Sequence, residues 1–565
     1  MYSLQAFWVT VDTLWRKTIY RNLNMSVFKW YGILLSEFIG ERKMGQTTKD
    51  YKIVLTASTI EMSDFFNSQF FAFVGGFSKG PIPSIIPRKK LYPPTESNPD
   101  GTAKYAPYGL RKIEASLLTN GFNKTDIAVV QPHRLSEFIG SNTKVVGIST
   151  MDPLGMGYVS KTYSSLIGGG KPMTAIEFQA LMKHPSFQTF KPTVILGGAG
   201  AWQLEPTAIM RSYGVDCVVL GESEKIVVDL FKRATNGEKL PPVVRCNTNP
   251  ASEDIPRIKH PSLHGCVEIS RGCGRNCQFC TPTMQQRRNV PLDKIMEEVT
   301  VNVKEGNGKI TLVTEDLFLY GAKDNGFIPN KNAVVNLVQT VASYPGVTAV
   351  QPAHMSLAPV VHDPSMVEQV AQILKERNWH GYCGKPIVTA ETGIETGSVR
   401  LLRKYMAGKP LPFKPEQWRE IVPQAFGILN DNDWFPLGTL IVGLPDEKED
   451  DVIQTLELLD DLSEFNAFFV PLLFVPLEKC SLENQAGAEL SDLSKLRWEL
   501  LTRCWEYNVR IWRSSFIDFR IRNQLLNEAF NKLLLPSLGF VSGLYYGAKH
   551  GKIAQEAIRT MTRAQ

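Results

Sequence analysis

Runs of β-branched and aliphatic residues recur along this chain at intervals long enough for a helix, an alternation that favours folds built on parallel sheets. The first series is YKIVLTA (51–57), DIAVVQP (126–132), KVVGIST (144–150), PTVILGGAG (192–200) and DCVVLGESE (216–224). Segments such as PYGLRKIEASLLTNGF and EFQALMKHPSF lie between them and are long enough for helices. The reading is a doubly wound α/β domain over 46–250. In such sheets ligands sit beyond the C-terminal strand ends, which here carry STMDPLGMG, GGAGAW and GESE.

A second series follows from about 264 to 476: GCVEIS, KITLVTEDLFLYG, GVTAVQPAHMSL, KPIVTAETGIETGS, WFPLGTLIVGLPDE and FNAFFVPLLFVPLE. These read as a partial (β/α) barrel over 260–480, with chemistry expected at the strands' C-terminal ends. The remainder, 481–565, reads as a helical C-terminal domain, because DLSKLRWELLTRCWEYNVRIW repeats apolar residues at three and four. Its Trp498, Trp505, Tyr507, Trp512 and Phe516 read first as core and second as an aromatic cover over the barrel mouth.

Between the two series lies RGCGRNCQFC, 271–280, with Cys273, Cys277 and Cys280. Structural zinc wants four ligands, usually as two pairs, and the other six cysteines are scattered singly. A disulfide framework fits no better, since nine cysteines in 565 residues are sparse and odd in number and no cleavable secretory signal is evident. The thiols are expected to be reduced, in a cytosolic setting. What remains is a 4Fe-4S cluster held by three thiolates, leaving one iron open to another ligand. Three cysteines clustered by chance in a loop are the alternative, which explains the flanking Gly272 and Gly274 less well than close wrapping of backbone around a cluster does.

Composition adds limits. With 43% apolar residues the chain can bury real cores, and its length suits two to four domains. Lys plus Arg exceed Asp plus Glu by only 62 to 56, without a basic block, so charge does not indicate nucleic acid. No uncharged apolar run reaches the roughly 18 residues of a membrane span. The nearest, LLLPSLGFVSGLYYGA at 533–548, reads as core first and as a peripheral membrane contact second. Residues 1–45 read as an N-terminal extension, its first 43 rich in aromatics mixed with Arg and Lys and followed by a second possible start at Met44, so that it is an amphipathic extension or an over-called start.

The CxxxCxxC spacing, with Phe279 before the last cysteine, resembles the radical S-adenosylmethionine (SAM) superfamily, in which SAM chelates the open iron. The GGxG after the fourth strand is weak evidence alone. Its position upstream of the cysteine motif is similar to the cobalamin-binding class of that superfamily, which implies a Rossmann-like cobalamin-binding domain and a six-stranded radical SAM barrel. The resemblance implies SAM contacts at Phe279, Glu315, Asp316, Ser356, Glu391, Glu395, Val442 and Gly443, the last two on the sixth-strand region. It implies cobalamin contacts at Met151, Asp152, Gly155, Gly157, Gly197, Gly198, Gly200, Gly221 and Glu222. Arg287 and Arg288 resemble arginines that follow the cysteine loop in cobalamin-dependent members. A base-off cobalamin domain carries DxHxxG, whereas Asp152 here is followed by Pro153, Leu154, Gly155, Met156 and Gly157 without histidine. Either cobalt has no lower protein ligand or the domain has kept the fold and lost the cofactor.

EMSDFFNSQFFAFVGGFSKGPIP (61–83) places Phe65, Phe66, Phe70, Phe71, Phe73 and Phe77 just after the first strand, as core or as the wall of a substrate cleft. With VVGISTMDPLGMG it resembles an archaeal group of cobalamin-binding radical SAM proteins that includes ring synthases acting on glycerol dialkyl glycerol tetraether (GDGT) membrane lipids. That resemblance implies an apolar, lipid-type substrate, a 5′-deoxyadenosyl radical and an external electron donor of the ferredoxin or flavodoxin type. The leading expectation is carbon–carbon bond formation closing cyclopentane rings. Methyl transfer from methylcobalamin to an unactivated carbon is the second, and a non-catalytic cobalamin or iron–sulfur sensor or electron carrier is the reading from another class.

Overall fold

The computed structural model describes residues 49–514 and 517–519, apart from 68, 80–83, 167–169, 283–284, 324–325, 378–379 and 383–384. The expected N-terminal extension at 1–45 and the apolar stretch at 533–548 lie outside the described residues. The described residues from Asp50 onward form one compact unit.

Its first sheet contains β1 (Ile53–Ala57), β2 (Ile127–Val129), β3 (Val145–Ser149), β4 (Thr193–Gly197), β5 (Cys217–Leu220) and β6 (Val243–Arg245), all parallel, in the order β2-β1-β3-β4-β5-β6. Every residue of β1 is buried, as a strand covered on both faces requires. Alternate residues point to opposite faces, so Val54, Val146, Leu196 and Val218 join one apolar layer with Phe178 and Phe187, while Leu55, Val145, Ile195 and Val219 join the other with Leu110 and Phe231. This is the doubly wound domain. Strand order reverses between β1 and β3, and the loops leaving their C-terminal ends flank the crevice where such folds bind ligands.

The second array contains β7 (Cys266–Glu268), β8 (Lys309–Val313), β9 (Ala349–Pro352), β10 (Val388–Glu395), β11 (Trp434–Val442) and β12 (Phe468–Leu473). β7, β8 and β9 pair in parallel, as do β10, β11 and β12, and a parallel bridge between His354 and Glu391 joins the two triplets. The result is the expected partial barrel of six strands in sequence order. TLIVGLPDE ends the fifth strand, however, and FFVPLL is the sixth: two long apolar runs follow β10, and the second of them forms the edge. On β10 and β11 buried and half-exposed residues alternate, and Thr389, Glu391 and Gly393 share their half-exposed face with Leu437, Thr439 and Ile441.

An open barrel leaves two strand edges with unpaired backbone groups. Here side chains from the first domain help satisfy both. Tyr108, on helix Tyr108–Thr119, accepts from the Glu268 N–H of β7 at 3.0 Å. On β12, the Thr162 hydroxyl accepts from Leu473 N–H at 2.9 Å and the Tyr163 hydroxyl donates to Pro471 O at 3.0 Å, both residues lying on helix Tyr158–Leu166. The helix Lys495–Ser514 adds Asn508, whose amide accepts from Phe469 N–H at 2.8 Å and donates to Phe469 O at 2.7 Å. Trp498 and Trp505 of that helix are buried in the core, which favours the packing reading of these aromatics over a cover. No helix among the described residues is long and apolar enough to cross a membrane.

Candidate functional site

The cysteine loop leaves the C-terminal end of β7 and is closed by a short antiparallel ladder, Ser270–Arg271 against Arg288–Asn289. Gly272 has φ +79°, and a Cβ there would lie 2.6 Å from Gln286 O, so only glycine fits. Cys273 N–H donates to Pro282 O and Gln285 O at 3.1 and 3.2 Å, and Gln278 N–H donates to Tyr405 O at 2.8 Å. Cys273 and Cys277 are buried and Cys280 is half-buried. Burial pushes the Cys277 thiol up to about 11 and raises that of Cys273.

The loop is anchored by Arg275, set between the first two cysteines and only 4% exposed. One terminal nitrogen donates to Gly408 O, Lys409 O and Leu411 O at 2.8–3.1 Å; the other donates to Ser356 Oγ at 2.9 Å and Asp316 Oδ2 at 3.3 Å. Three thiols on one tightly held loop, with buried arginines beside them, suit an anionic iron–sulfur cluster. No group of three donors among the described residues converges to hold a single metal ion.

Across the mouth stand groups from both domains. His354 follows β9; its Nε2 lies 3.0 Å from Glu391 and its Nδ1 3.1 Å from Thr314 O. Burial disfavours the imidazolium, but the bond and charge of Glu391, with Glu315, outweigh it and raise His354 to about 9. Loss of water raises Glu315, which has His354 and Glu391 as neighbours. Glu395, at a register shift between β10 and β11 and at φ +64°, pairs with Lys409 at 3.0 Å. From the first domain comes Tyr158, 46% exposed; desolvation and the charges of Glu391, Cys280, Glu315 and Glu395 hold its phenol well above its ordinary range. A side chain both accessible and surrounded in this way lines a cleft at the barrel mouth.

The structure sorts the residues singled out for SAM. Glu315, Glu391 and Glu395 gather around this cleft, and Phe279 is half-buried against the barrel core. Asp316 and Ser356 bond to each other and to Arg275, so both are occupied in holding the cysteine loop. Val442 is fully buried, and Gly443 N–H donates to Glu447 at 3.0 Å while its α-carbon packs against Ala488, so these two shape the chain's turn after β11.

The residues singled out for cobalamin separate similarly. Met151, at the end of β3, is 68% exposed, and a Cβ on Gly197 would find nothing closer than 3.9 Å, so both positions are open to a ligand. Gly198 and Gly200 are filled by protein instead: their Cβ atoms would lie 2.5 Å from Thr150 O and 2.2 Å from Met151 O. Asp152 is engaged by Gly157 N–H and the Gln203 amide, at 2.9 and 2.7 Å, and by the Ser160 hydroxyl. Gly155 packs on Pro172, Gly157 on Asp152, and Gly221 beside Lys479 and Cys246. Glu222 pairs with Arg271 and Arg288 across the domain boundary. These residues build the crevice wall. Apolar Met151 and Met156 remain uncovered over it, a surface suited to a flat, largely apolar ring.

Of the six phenylalanines, Phe65 and Phe77 are buried in the core, Phe77 edge-on to Tyr163, and Phe66 and Phe73 are half-buried. The side chains of Phe70 and Phe71 lie outside the described residues. Sequence reasoning missed Tyr158, Arg275, His354 and Lys409, and also Glu61, which burial pushes up to about 7 and which accepts from Met151 N–H at 2.9 Å. Two of these had a signal: Arg275 lies inside the cysteine motif, and His354 follows a strand.

No family model matches the chain. Among curated proteins, the tRNA-2-methylthio-N(6)-dimethylallyladenosine synthase of Thermotoga petrophila is 25% identical over 276 residues, covering 48% of this chain and 56% of that protein. The chain therefore spans about half the length of this curated relative. Among solved structures, the radical SAM methyltransferase TsrM from Kitasatospora setae, with cobalamin and a 4Fe-4S cluster bound, shares 14% identity over 77% of this chain and 74% of its own, at a TM-score of 0.49. The cobalamin-dependent radical SAM enzyme OxsB, with aqua-cobalamin bound, shares 11% identity over 91% and 76%, at a TM-score of 0.47.

Proposed function

We propose that this chain is a radical SAM enzyme that forms carbon–carbon bonds at unactivated carbons of an apolar substrate. The observation that carries the reading is the buried three-cysteine loop at the C-terminal mouth of a six-stranded parallel barrel, facing Tyr158 of a doubly wound domain. Cys273, Cys277 and Cys280 would hold a 4Fe-4S cluster, Glu315, Glu391 and Glu395 line the space for SAM, and Met151 and Gly197 border the space for cobalamin. When bound, these cofactors supply one-electron chemistry strong enough to take hydrogen from an unactivated carbon.

The chain's own residues do the rest. Arg275 fixes the loop, His354 keeps a proton shared with Glu391 at the barrel seam, and the packing of the two domains limits access of water to the cleft. Lys409 balances Glu395 beside Cys277, so that a carboxylate can stand near thiolates without net repulsion. Electrons are supplied from outside, by a donor of the ferredoxin or flavodoxin type.

The half-exposed Leu437 and Ile441, on the strand face that Glu391 shares, support an apolar substrate, and ring closure within the isoprenoid chains of archaeal tetraether lipids is the first reading. Methyl transfer to an unactivated carbon of a lipid, peptide or small metabolite is the second. Mass spectrometry of core lipids from a host supplied with tetraether and expressing this chain separates them. Loss of two hydrogens per event, absent with the triple Cys-to-Ala chain, is the expected result; gain of one CH₂ would establish methylation, and no change would remove lipids as substrate.

A further inference from the structure

Arg287 is a buried cation with no carboxylate to itself among the described residues. It is 3% exposed, and of its nitrogens one terminal group donates to Gly326 O at 2.6 Å, while Nε and Nη1 are buried without a partner. Among the described residues the carboxylate whose charge acts on it is Asp316, whose oxygens already serve Ser356 and Arg275. Its neighbour Arg288 differs in kind, because Glu222 neutralises it. A buried charge without a counter-ion is disfavoured, so its persistence points to an anion that joins it.

The backbone shows which anion. Residues 285–287 run directly against the cysteine loop: Gln285 O accepts from Cys273 N–H, and a Cβ on Gly272 would touch Gln286 O. A Cβ on Gly274 would lie 3.9 Å from Arg287 N. Arg275, the other buried guanidinium here, shares the Phe327 ring with Arg287, at 4.9 and 5.8 Å from its centroid. Two cations with one shared carboxylate therefore flank the three thiols.

We infer that Arg287 is the counter-charge of the cluster bound by Cys273, Cys277 and Cys280, and that it raises the cluster's reduction potential. The inference rests on the radical SAM reading above. A positive charge held in dry surroundings favours the more negative, reduced cluster, and Arg287 cannot shed its proton to escape. Arg287 is on this account a positioning and tuning residue for the electron, distinct from the groups that face the cleft.

The test uses the full chain reconstituted anaerobically with iron and sulfide, with iron content measured and the midpoint potential followed by electron paramagnetic resonance. R287M is expected to lower the potential by at least a tenfold shift in the reduction equilibrium, about 59 mV for one electron, with R287K restoring most of it. Should R287M take up no cluster, R287K loading to the wild-type level at near wild-type potential supports the charge requirement. Fully loaded R287M at wild-type potential overturns the inference, as does R287K that also fails to load. Wild-type chain that assembles no 4Fe-4S cluster would overturn the radical SAM reading itself, an outcome visible before any variant is compared.

Discussion

Arg288 grips Glu222 with both terminal nitrogens, at 3.0 and 2.5 Å, across the boundary between the first sheet and the barrel. Arg271 donates to the same carboxylate at 2.7 Å. Both arginines belong to the ladder that closes the cysteine loop, so an acid at the end of β5 fixes the base of a loop in the other domain. Glu222→Gln leaves the largely buried Arg288 without its carboxylate, while Arg271 keeps Glu224 and Glu268, and is expected to destabilise the chain by about 3 kcal/mol. Urea unfolding checks the magnitude, and iron uptake should fall in the same variant.

Arg275 distributes its bonds over three carbonyls, a hydroxyl and a carboxylate, a pattern that needs the planar fork of guanidinium. Arg275→Lys keeps the charge but cannot span those partners, so it should lose iron binding almost as fully as Arg275→Ala. Both should cost about 3 kcal/mol, because Asp316 is left buried at 2% exposure. Iron analysis after reconstitution, beside thermal unfolding of the apo chain, distinguishes loss of the loop from loss of the fold.

Asn508 supplies both a donor and an acceptor to Phe469 on the last strand of the barrel. Asn508→Leu fills the space but strands both backbone groups in the core, at a cost of about 2 kcal/mol. Chemical denaturation should show the shift, and amide exchange at Phe469 should accelerate.

The His354–Glu391 pair carries a pH signature. Its pKa is raised from the ordinary value near 6.5 to about 9, so the folded state binds the proton more tightly than the unfolded chain. The pair's stabilisation is therefore complete below about pH 6.5 and lost as pH rises through about 9. The melting temperatures of wild type and His354→Gln should differ most below about pH 6.5, where Glu391 is still ionised, and converge by about pH 10. A gap that widens with pH would contradict the assignment.

Much of this architecture was legible because parallel strands buried on both faces leave continuous apolar runs: the core of β1 lies inside YKIVLTA and that of β12 inside FNAFFVPLLFVPLE. The short β6 was not legible, since three residues after two prolines give no period. Cysteine spacing marked the site, but its supports are tertiary. Arg275 reaches main-chain carbonyls some 130 positions later in the chain, and Tyr158 meets Glu391 only because two domains pack together. The glycines at 198 and 200 have a tertiary reason that the sequence does not show: a glycine marks close approach of backbone, and here the 150–153 loop approaches. The phenylalanines of 65–77 likewise carry no period that separates a cleft wall from the core in which Phe65 and Phe77 sit.

The most direct measurement is cleavage of SAM by the reconstituted, anaerobic full chain under a strong reductant, with 5′-deoxyadenosine quantified by mass spectrometry. The account predicts 5′-deoxyadenosine from the wild type, none from Cys273→Ala, Cys277→Ala or Cys280→Ala, and undiminished product from Cys504→Ala. Product that survives loss of any of the three loop cysteines, or a fully loaded wild type that yields none, would contradict it.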